Sequence, residues 1–196
     1  MAKSERIIVE AELTGLIFGI ETDKEIWGGV GIQAIAWSPH EENILAAVTL
    51  KTNRLEIWNV EKGAMVAIYD LRAAFFEIKW GPHDPNLLIA REINAQSLFK
   101  IDISTGKQIK IPNAGVSITS MEWHPRRPNF VFLGNNMGYI SLFNIDEMFQ
   151  EKYFTIDSKD ALIPDDVIDI VYSPGEDVFL AVRRDGALFL FGVQEN

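Results

Sequence analysis

The sequence predicts an all-β protein built from repeated four-stranded antiparallel units, and three recurring patterns support this prediction. An aromatic residue ends a short apolar segment with spacings of 43, 43 and 49 residues, at Trp37, Trp80, Trp123 and Tyr172. An asparagine precedes the next apolar run with a spacing of 43, at Asn43, Asn86 and Asn129. A third step recurs as Trp58-Asn59-Val60, Ile101-Asp102-Ile103, Phe143-Asn144-Ile145 and Phe191-Gly192-Val193. Self-similarity at a fixed period indicates a repeat architecture.

Each unit has the pattern of short strands. In the first unit, residues 32–37 alternate between apolar and small or polar side chains, which indicates a strand with one buried face. Residues 43–50 are almost continuously apolar, as expected of a strand buried on both faces. Residues 55–58 alternate again, and residues 64–71 form a less regular fourth strand.

The segments between these strands have the composition of tight turns. Ser-Pro or Gly-Pro follows the first strand of most units, and the later turns carry small or turn-forming residues: Asn53, Asn94, Gly138 and Gly186 at the second turn, and Gly63 and Gly106 at the third. Asp185-Gly186 is a typical two-residue hairpin turn. Four strands about every 43 residues, joined by tight turns, describe one blade of a β-propeller.

The ends of the sequence depart from this period. Copies one to three have all four strands, whereas the fourth ends after its third strand, at Val193. Residues 7–13, 16–20 and 25–27 have the pattern of three strands of an earlier blade. We therefore expect an incomplete blade over 1–31, blades over 32–73, 74–114 and 115–160, and an incomplete blade lacking its outer strand over 161–196.

The number of blades leaves two architectures open. A seven-blade ring needs about 300 residues at this period, so the chain is expected to be an arc or the N-terminal part of such a ring, with about four to five blades. The alternative is a small ring of four or five blades that closes by itself. In either case Trp37, Trp80 and Trp123 are expected to be buried anchors between blades.

The unit resembles the WD repeat. In that family a Trp-Asp pair ends the third strand, and Trp58-Asn59 and Ile101-Asp102 are degenerate versions of it. The resemblance covers about residues 32–193, although no Gly-His pair precedes any first strand. It implies a β-propeller whose loops hold peptides or protein partners, commonly on the face that carries the turns between second and third strands.

Composition restricts the possible functions. The net charge of −10 repels phosphate, so we expect neither nucleic acid nor an anionic membrane as a partner. Without cysteine there is no disulfide, thiolate zinc site or cysteine nucleophile. The N-terminal residues lead into no apolar signal core, and no apolar run reaches membrane-spanning length. We expect a soluble, intracellular protein of the cytoplasm, in a cilium or other cytoskeletal assembly if it has a structural role.

No pattern for a catalytic or metal site stands out. His40 and His83 hold equivalent repeat positions, which separates them too far to share a metal, and His124 is also interpreted as a turn residue. No Gly-x-Ser-x-Gly or phosphate-binding loop occurs. An acidic group, Asp165, Asp166 and Asp169, lies in the longest inter-blade connection and is interpreted as a solvated loop. The sequence predicts no enzyme, cofactor or metal.

The predicted function is a protein–protein interaction scaffold. In a blade, the turns between strands two and three and the links from strand four to the next blade lie on one face. The candidate partner-binding residues on that face are Trp27, Lys51, Arg54, Arg72, Phe75, Met137, Arg183 and Arg184. The expected partners are proteins or peptides, including the remainder of its own propeller. An alternative function is an enzyme or small-ligand-binding propeller that uses the central channel.

Overall fold

The structure is a computed structural model that describes residues 31–93, 97–112, 117–155, 165–173 and 178–192. Within these ranges the chain forms strands and no helix. The strands are β1 (Ile32–Trp37), β2 (Ile44–Thr49), β3 (Arg54–Asn59), β4 (Ala64–Asp70), β5 (Phe75–Trp80), β6 (Leu87–Glu92), β7 (Ser97–Asp102), β8 (Lys107–Pro112), β9 (Ile118–Trp123), β10 (Phe130–Asn135), β11 (Tyr139–Asn144), β12 (Phe149–Thr155), β13 (Val167–Tyr172), β14 (Val178–Arg183) and β15 (Leu188–Gly192).

The strands form four sheets in chain order. Their strand orders are β1-β2-β3-β4, β5-β6-β7-β8, β9-β10-β11-β12 and β13-β14-β15. Paired strands run antiparallel. The all-β fold of propeller-like blades is therefore confirmed, and the last sheet has three strands within the described residues. The strands predicted before residue 31 lie outside the described residues.

Two compact units divide the chain after Trp80. In the first unit, β5 lies beside β1. In the second unit, β13 lies beside β9. The first strand of a repeat therefore neighbours the first strand of the next repeat in both units.

The aromatic repeat marks the corner between the first two strands. In each copy the residue after the aromatic donates its N–H to the carbonyl of the first residue of the next strand. The N···O distances are 2.9 Å for Ser38–Ile44, 2.7 Å for Gly81–Leu87, 2.9 Å for His124–Phe130 and 3.0 Å for Ser173–Val178. The same closing hydrogen bond therefore recurs in all four sheets, although donor and acceptor are six residues apart in the first three and five apart in the last.

The asparagine repeat joins two turns of one blade. The carbonyls of Asn43, Asn86 and Asn129 accept the N–H of Val60, Ile103 and Ile145, at 2.7, 2.8 and 2.9 Å. Asn43 and Asn129 have φ angles of 63° and 64°, a left-handed conformation that asparagine tolerates better than most residues. This conformation explains the asparagine in the first and third copies, whereas Asn86 does not have a positive φ.

The third repeat supplies turn-capping oxygens. The side-chain Oδ1 atoms of Asn59, Asp102 and Asn144 accept backbone N–H groups two or three residues ahead: from Lys62 at 2.9 Å, from Ser104 at 2.8 Å and from Asp146 at 3.0 Å. Such local bonds stabilise a turn in place of a continuing strand. Gly192, at the equivalent position in the fourth copy, has no side-chain acceptor.

The core of the second unit lies between sheets. One cluster joins β6, β7 and β8 of one sheet to the next sheet, and it contains the aliphatic side chains of Ile89 and Ile111 together with Met121 and Trp123. The following cluster joins that next sheet to the last one, where the ring centroids of Phe132 and Phe179 are 4.5 Å apart. Each of these sheets therefore buries a face against its neighbour.

Side chains of one sheet also donate hydrogen bonds to backbone carbonyls in the first strand of the next sheet. A guanidinium nitrogen of the buried Arg91 donates to the carbonyl of Ile118 at 3.3 Å. At the next junction the hydroxyls of Thr119 and Ser120 donate to the carbonyl of Val167, at 2.7 and 2.9 Å. These bonds fix where the first strand of each sheet begins relative to the sheet before it.

One of the three predicted tryptophan anchors is wrong. Trp80 and Trp123 are buried, but Trp37 is 49% exposed. Trp123 lies among side chains of the preceding sheet, including Leu87 and Leu98. No sheet precedes β1 in the described part of the chain, so the same position lacks that cover.

Gly134 in β10 allows the last two sheets to approach closely, and we predict that a larger residue at this position destabilises the protein. A Cβ at this position would lie 2.3 Å from the Ser120 hydroxyl and 2.8 Å from both Cβ and Cγ1 of Val167. We expect Gly134→Ala to lower the free energy of unfolding by about 1–3 kcal/mol, because overpacking must move a sheet. Urea unfolding measures this difference.

Gly192→Ala is the matched control. A Cβ there would meet none of the described residues within 4 Å, and its φ is not in the left-handed region. It should change the free energy of unfolding by no more than about 0.5 kcal/mol. Equal effects of the two substitutions would contradict the packing described for the junction.

Candidate partner-binding surface

The turns between second and third strands lie beside the links that follow fourth strands, as the repeat predicts. In the first unit, Leu71 and Asn53 are joined twice: the Leu71 N–H donates to the Asn53 carbonyl at 2.9 Å, and Asn53 Nδ2 donates to the Leu71 carbonyl at 3.0 Å. In the second unit, the Arg184 N–H donates to the Asp166 carbonyl at 2.9 Å. We call this edge of each unit the link edge.

Three candidate residues of the first unit are exposed at its link edge. Lys51 lies in the turn before β3, and Arg72 lies in the link after β4. Arg54 begins β3 and pairs through Nε with Asp70 Oδ1 at 3.1 Å. Both side chains of that pair are well exposed, and an ion pair in water stabilises by about 0–1 kcal/mol. The Arg54–Asp70 ion pair therefore contributes little to stability.

Two candidate residues of the second unit flank a shared link. Met137 is 44% exposed, and the turn that carries it packs against the link, because a Cβ on Gly138 would lie 3.2 Å from the Asp165 carbonyl oxygen. The exposed guanidinium of Arg184 pairs with the carboxylate of Asp166. An apolar side chain and a cation thus stand on either side of residues 165–166.

The remaining candidates are not presented at the surface. Phe75 is fully buried at the start of β5, where the equivalent residues of β9 and β13, Ile118 and Val167, pack between sheets. Arg183 is also buried: its guanidinium pairs with the Asp185 carboxylate and lies 5.9 Å from the Phe189 ring. Neither side chain is accessible to a partner, so these two assignments are corrected. Trp27 lies outside the described residues.

The histidines occupy turns. His124 is buried and stacks on Phe132 with ring centroids 5.5 Å apart, while its Nδ1 accepts the N–H groups of Arg126 and Arg127 at 3.2 and 3.0 Å. His83 Nε2 lies 3.3 Å from the His124 carbonyl. Among the residues described, no group of three or more His, Asp or Glu side chains could hold a metal ion.

Two carboxylates have lowered pKa values, and both stabilise local structure. Hydrogen bonds from Ser104, above all from its hydroxyl, lower the pKa of Asp102. A two-pronged bond from Arg127 lowers the pKa of Glu151, with N···O distances of 2.7 and 2.6 Å. The Arg127 guanidinium also stacks on Phe130, 3.7 Å from its centroid. These shifts arise from turns and strand contacts.

Sequence reasoning missed one surface. The side of β14 and β15 that faces away from the third sheet exposes Leu180, Leu188 and Leu190. The signal was present in the sequence, because residues 188–192 contain no charged side chain. The repeat pattern predicted a strand there, but periodicity alone does not tell which face of a terminal sheet is covered.

A scan against models of known protein families finds no family that matches the chain, and a search of curated proteins finds no matching relative. The likeness to WD repeats therefore rests on the residues quoted above. The described part of the chain contains no helix with the length and hydropathy that a membrane crossing needs.

Asp102 should contribute stability that depends on pH. Asp102→Ala removes the turn acceptor and should lower the free energy of unfolding by about 1–2 kcal/mol at pH 7. Asp102→Asn keeps an acceptor, as in the equivalent Asn59 and Asn144, and should lose less. Because the folded-state pKa lies below the ordinary 3.8, the advantage of wild type over Asp102→Asn is present above that pH. It disappears as the pH falls through the lowered pKa.

Urea unfolding of the three proteins between pH 7 and pH 3 measures this dependence. Glu42→Gln removes the same charge from an exposed turn and controls for the general effect of net charge. A gap between wild type and Asp102→Asn that widens with acidification would show that the sign of the coupling is wrong.

Proposed function

We propose that the chain is a non-catalytic scaffold for protein–protein interaction, of the WD-repeat propeller type, that presents its link edges to partners in a multi-subunit cytoplasmic assembly. The observation that carries the proposal is that a half-exposed methionine, Met137, and an exposed arginine, Arg184, lie in two turns that both contact the link residues 165–166 of the second unit. Methionine and arginine are enriched at the centres of protein interfaces.

The link edges are preorganised for binding. Backbone hydrogen bonds tie turn to link at Asn53–Leu71 and at Arg184–Asp166, and the Asn136 N–H donates to the Ser117 carbonyl at 3.1 Å. A surface that is already ordered loses less conformational entropy when a partner docks. The scaffold role needs only this kind of rigid presentation.

Polar side chains that could serve catalysis are used by the fold instead. The oxygens of Asn59, Asp102 and Asn144 cap turns. At the start of β9, Thr119 and Ser120 donate to a carbonyl at the start of β13. These contacts favour the scaffold over the alternative of a channel enzyme, which needs polar groups directed at a substrate.

The chemistry of the edge suggests the partner. Exposed Lys51, Arg54 and Arg72 in the first unit and Arg184 in the second are cations on a chain of net charge −10. Arginine binds carboxylates through two parallel hydrogen bonds and packs on apolar groups. A peptide segment with an acidic residue near an apolar one fits each edge, whereas nucleic acid and anionic lipid are repelled by the rest of the surface.

Charge reversal at the link edge tests the proposal. In pull-downs from cell lysate with the whole chain as bait, Arg54→Glu with Arg72→Glu should reduce captured partners about tenfold or more, which corresponds to about 1.4 kcal/mol. In the second unit, Met137→Ser with Arg184→Ser should weaken partners that use that edge. Quantitative mass spectrometry of the eluates measures both.

Two controls separate binding from folding. Lys62→Glu with Lys107→Glu reverses charge where third strands connect to fourth strands, in the turn before β4 and at the first residue of β8, and should leave capture unchanged. Arg54→Asp with Asp70→Arg exchanges the two members of the ion pair and keeps the turn intact. Loss of partners in the Lys62/Lys107 variant, with full capture by the link-edge variants, would overturn the assignment of the binding edge.

A further inference from the structure

The last sheet has an exposed face made of aliphatic side chains. We call it the outer face and define it by Val171, Leu180, Leu188 and Leu190. Val171 pairs directly with Leu180, and Leu180 with Leu190, so three of these side chains form one continuous row across β13, β14 and β15. Leu188 and Leu190 are 63% and 66% exposed. Contiguous exposed apolar surface of this kind marks an interaction site or an aggregation hazard.

Strand register identifies the same positions in the preceding sheet. Phe132 pairs with Leu142 as Leu180 pairs with Leu190, and Gly134 pairs with Ile140 as Val182 pairs with Leu188. In the preceding sheet these side chains are almost completely buried: Phe132 and Ile140 are 0% exposed and Leu142 is 3% exposed. In the third sheet, the face equivalent to the outer face is therefore covered.

The same junction shows what kind of surface covers it. Phe132, Ile140 and Leu142 lie in one cluster with Val167 and Ile170 of β13 and with residues of β14. The covering surface is thus the opposite face of another sheet of this repeat, and its first strand contributes the residue two places before the anchor aromatic.

The first sheet carries such a covering face with exposed residues on it. By register, Ile35 and Trp37 of β1 are equivalent to Met121 and Trp123 of β9. Met121 and Trp123 are 1% and 4% exposed, but Ile35 and Trp37 are 45% and 49% exposed. Within the described residues, the chain therefore exposes both halves of a junction that it buries between its third and fourth sheets.

We propose that the outer face of the last sheet docks against the β1 face of a second copy of this chain, so that Leu180, Leu188 and Leu190 of one copy cover Ile35 and Trp37 of the next. The contact repeats the sheet-on-sheet junction that the chain makes internally. It joins two different surfaces, which is a heterologous contact and leads to a closed ring of copies or to a growing chain of them.

Salt dependence follows from the chemistry of the contact. The outer face is aliphatic, whereas each copy has a net charge of −10, so long-range repulsion opposes association. Raising the salt concentration screens this repulsion and leaves the apolar contact in place. Association should therefore become stronger as the salt concentration rises, whereas association through ion pairs would become weaker.

Mixing complementary variants tests the proposal by sedimentation velocity. Wild type should associate with increasing concentration. Leu188→Ser with Leu190→Ser disables the outer face, and Ile35→Ser with Trp37→Ser disables the β1 face; each protein alone should be monomeric. An equimolar mixture should form a 1:1 dimer that grows no further, because the first variant keeps only an intact β1 face and the second keeps only an intact outer face. Met148→Ser with Phe149→Ser, at exposed apolar positions of the third sheet outside both docking faces, should associate like wild type.

Three results would overturn the proposal. They are a wild type that stays monomeric at about 100 µM and high salt, a face variant that associates like wild type, and an equimolar mixture that stays monomeric. Circular dichroism melting of each variant establishes that it is folded, and the exposed positions of the substituted side chains make unfolding an unexpected outcome. Association of the Leu188/Leu190 variant through another surface would appear as self-association of that variant on its own.

Discussion

A sheet with two apolar faces cannot bury both by itself, and this constraint governs the architecture of the chain. In the second unit, the third sheet has neighbours on both faces, and its central residues Phe132, Leu133 and Ile140 are buried. Gly134 and the hydroxyl of Ser120 then fit the two sheets together at the first strands. The recurrent aromatic, asparagine and capping residues serve this packing by holding each sheet in the same shape.

Much of the fold could be predicted because the relevant physics is local. The turn after β1 needs a backbone hydrogen bond in every copy, and the turn after β3 needs a short side-chain acceptor such as Asn59 or Asp102. These requirements place particular residue types at fixed positions, so the strands and their approximate boundaries followed from the sequence. The exposure of Trp37 did not, because burial depends on a neighbouring sheet that the residue itself does not encode.

The candidate binding residues show the same distinction. That turns and links share an edge follows from antiparallel strand order, and the Asn53–Leu71 and Arg184–Asp166 contacts have that arrangement. Whether a given side chain on that edge faces outward depends on packing. Phe75 and Arg183 were therefore assigned wrongly, while Lys51, Arg54, Arg72, Met137 and Arg184 lie in accessible positions. The exposed outer face of the last sheet was not predicted either, because it is recognised only when its residues are compared with the equivalent, buried residues of the preceding sheet.

Amide hydrogen exchange in dilute solution tests most directly whether cover by neighbouring sheets controls stability. The amides of β10 and β11 lie in a sheet covered on both faces, whereas those of β14 and β15 lie in a sheet with one exposed apolar face. We expect β14 and β15 to exchange through local opening at a lower free energy than β10 and β11. Equal protection of the two sheets, at a concentration where the protein is monomeric, would contradict the idea that each sheet depends on its neighbours.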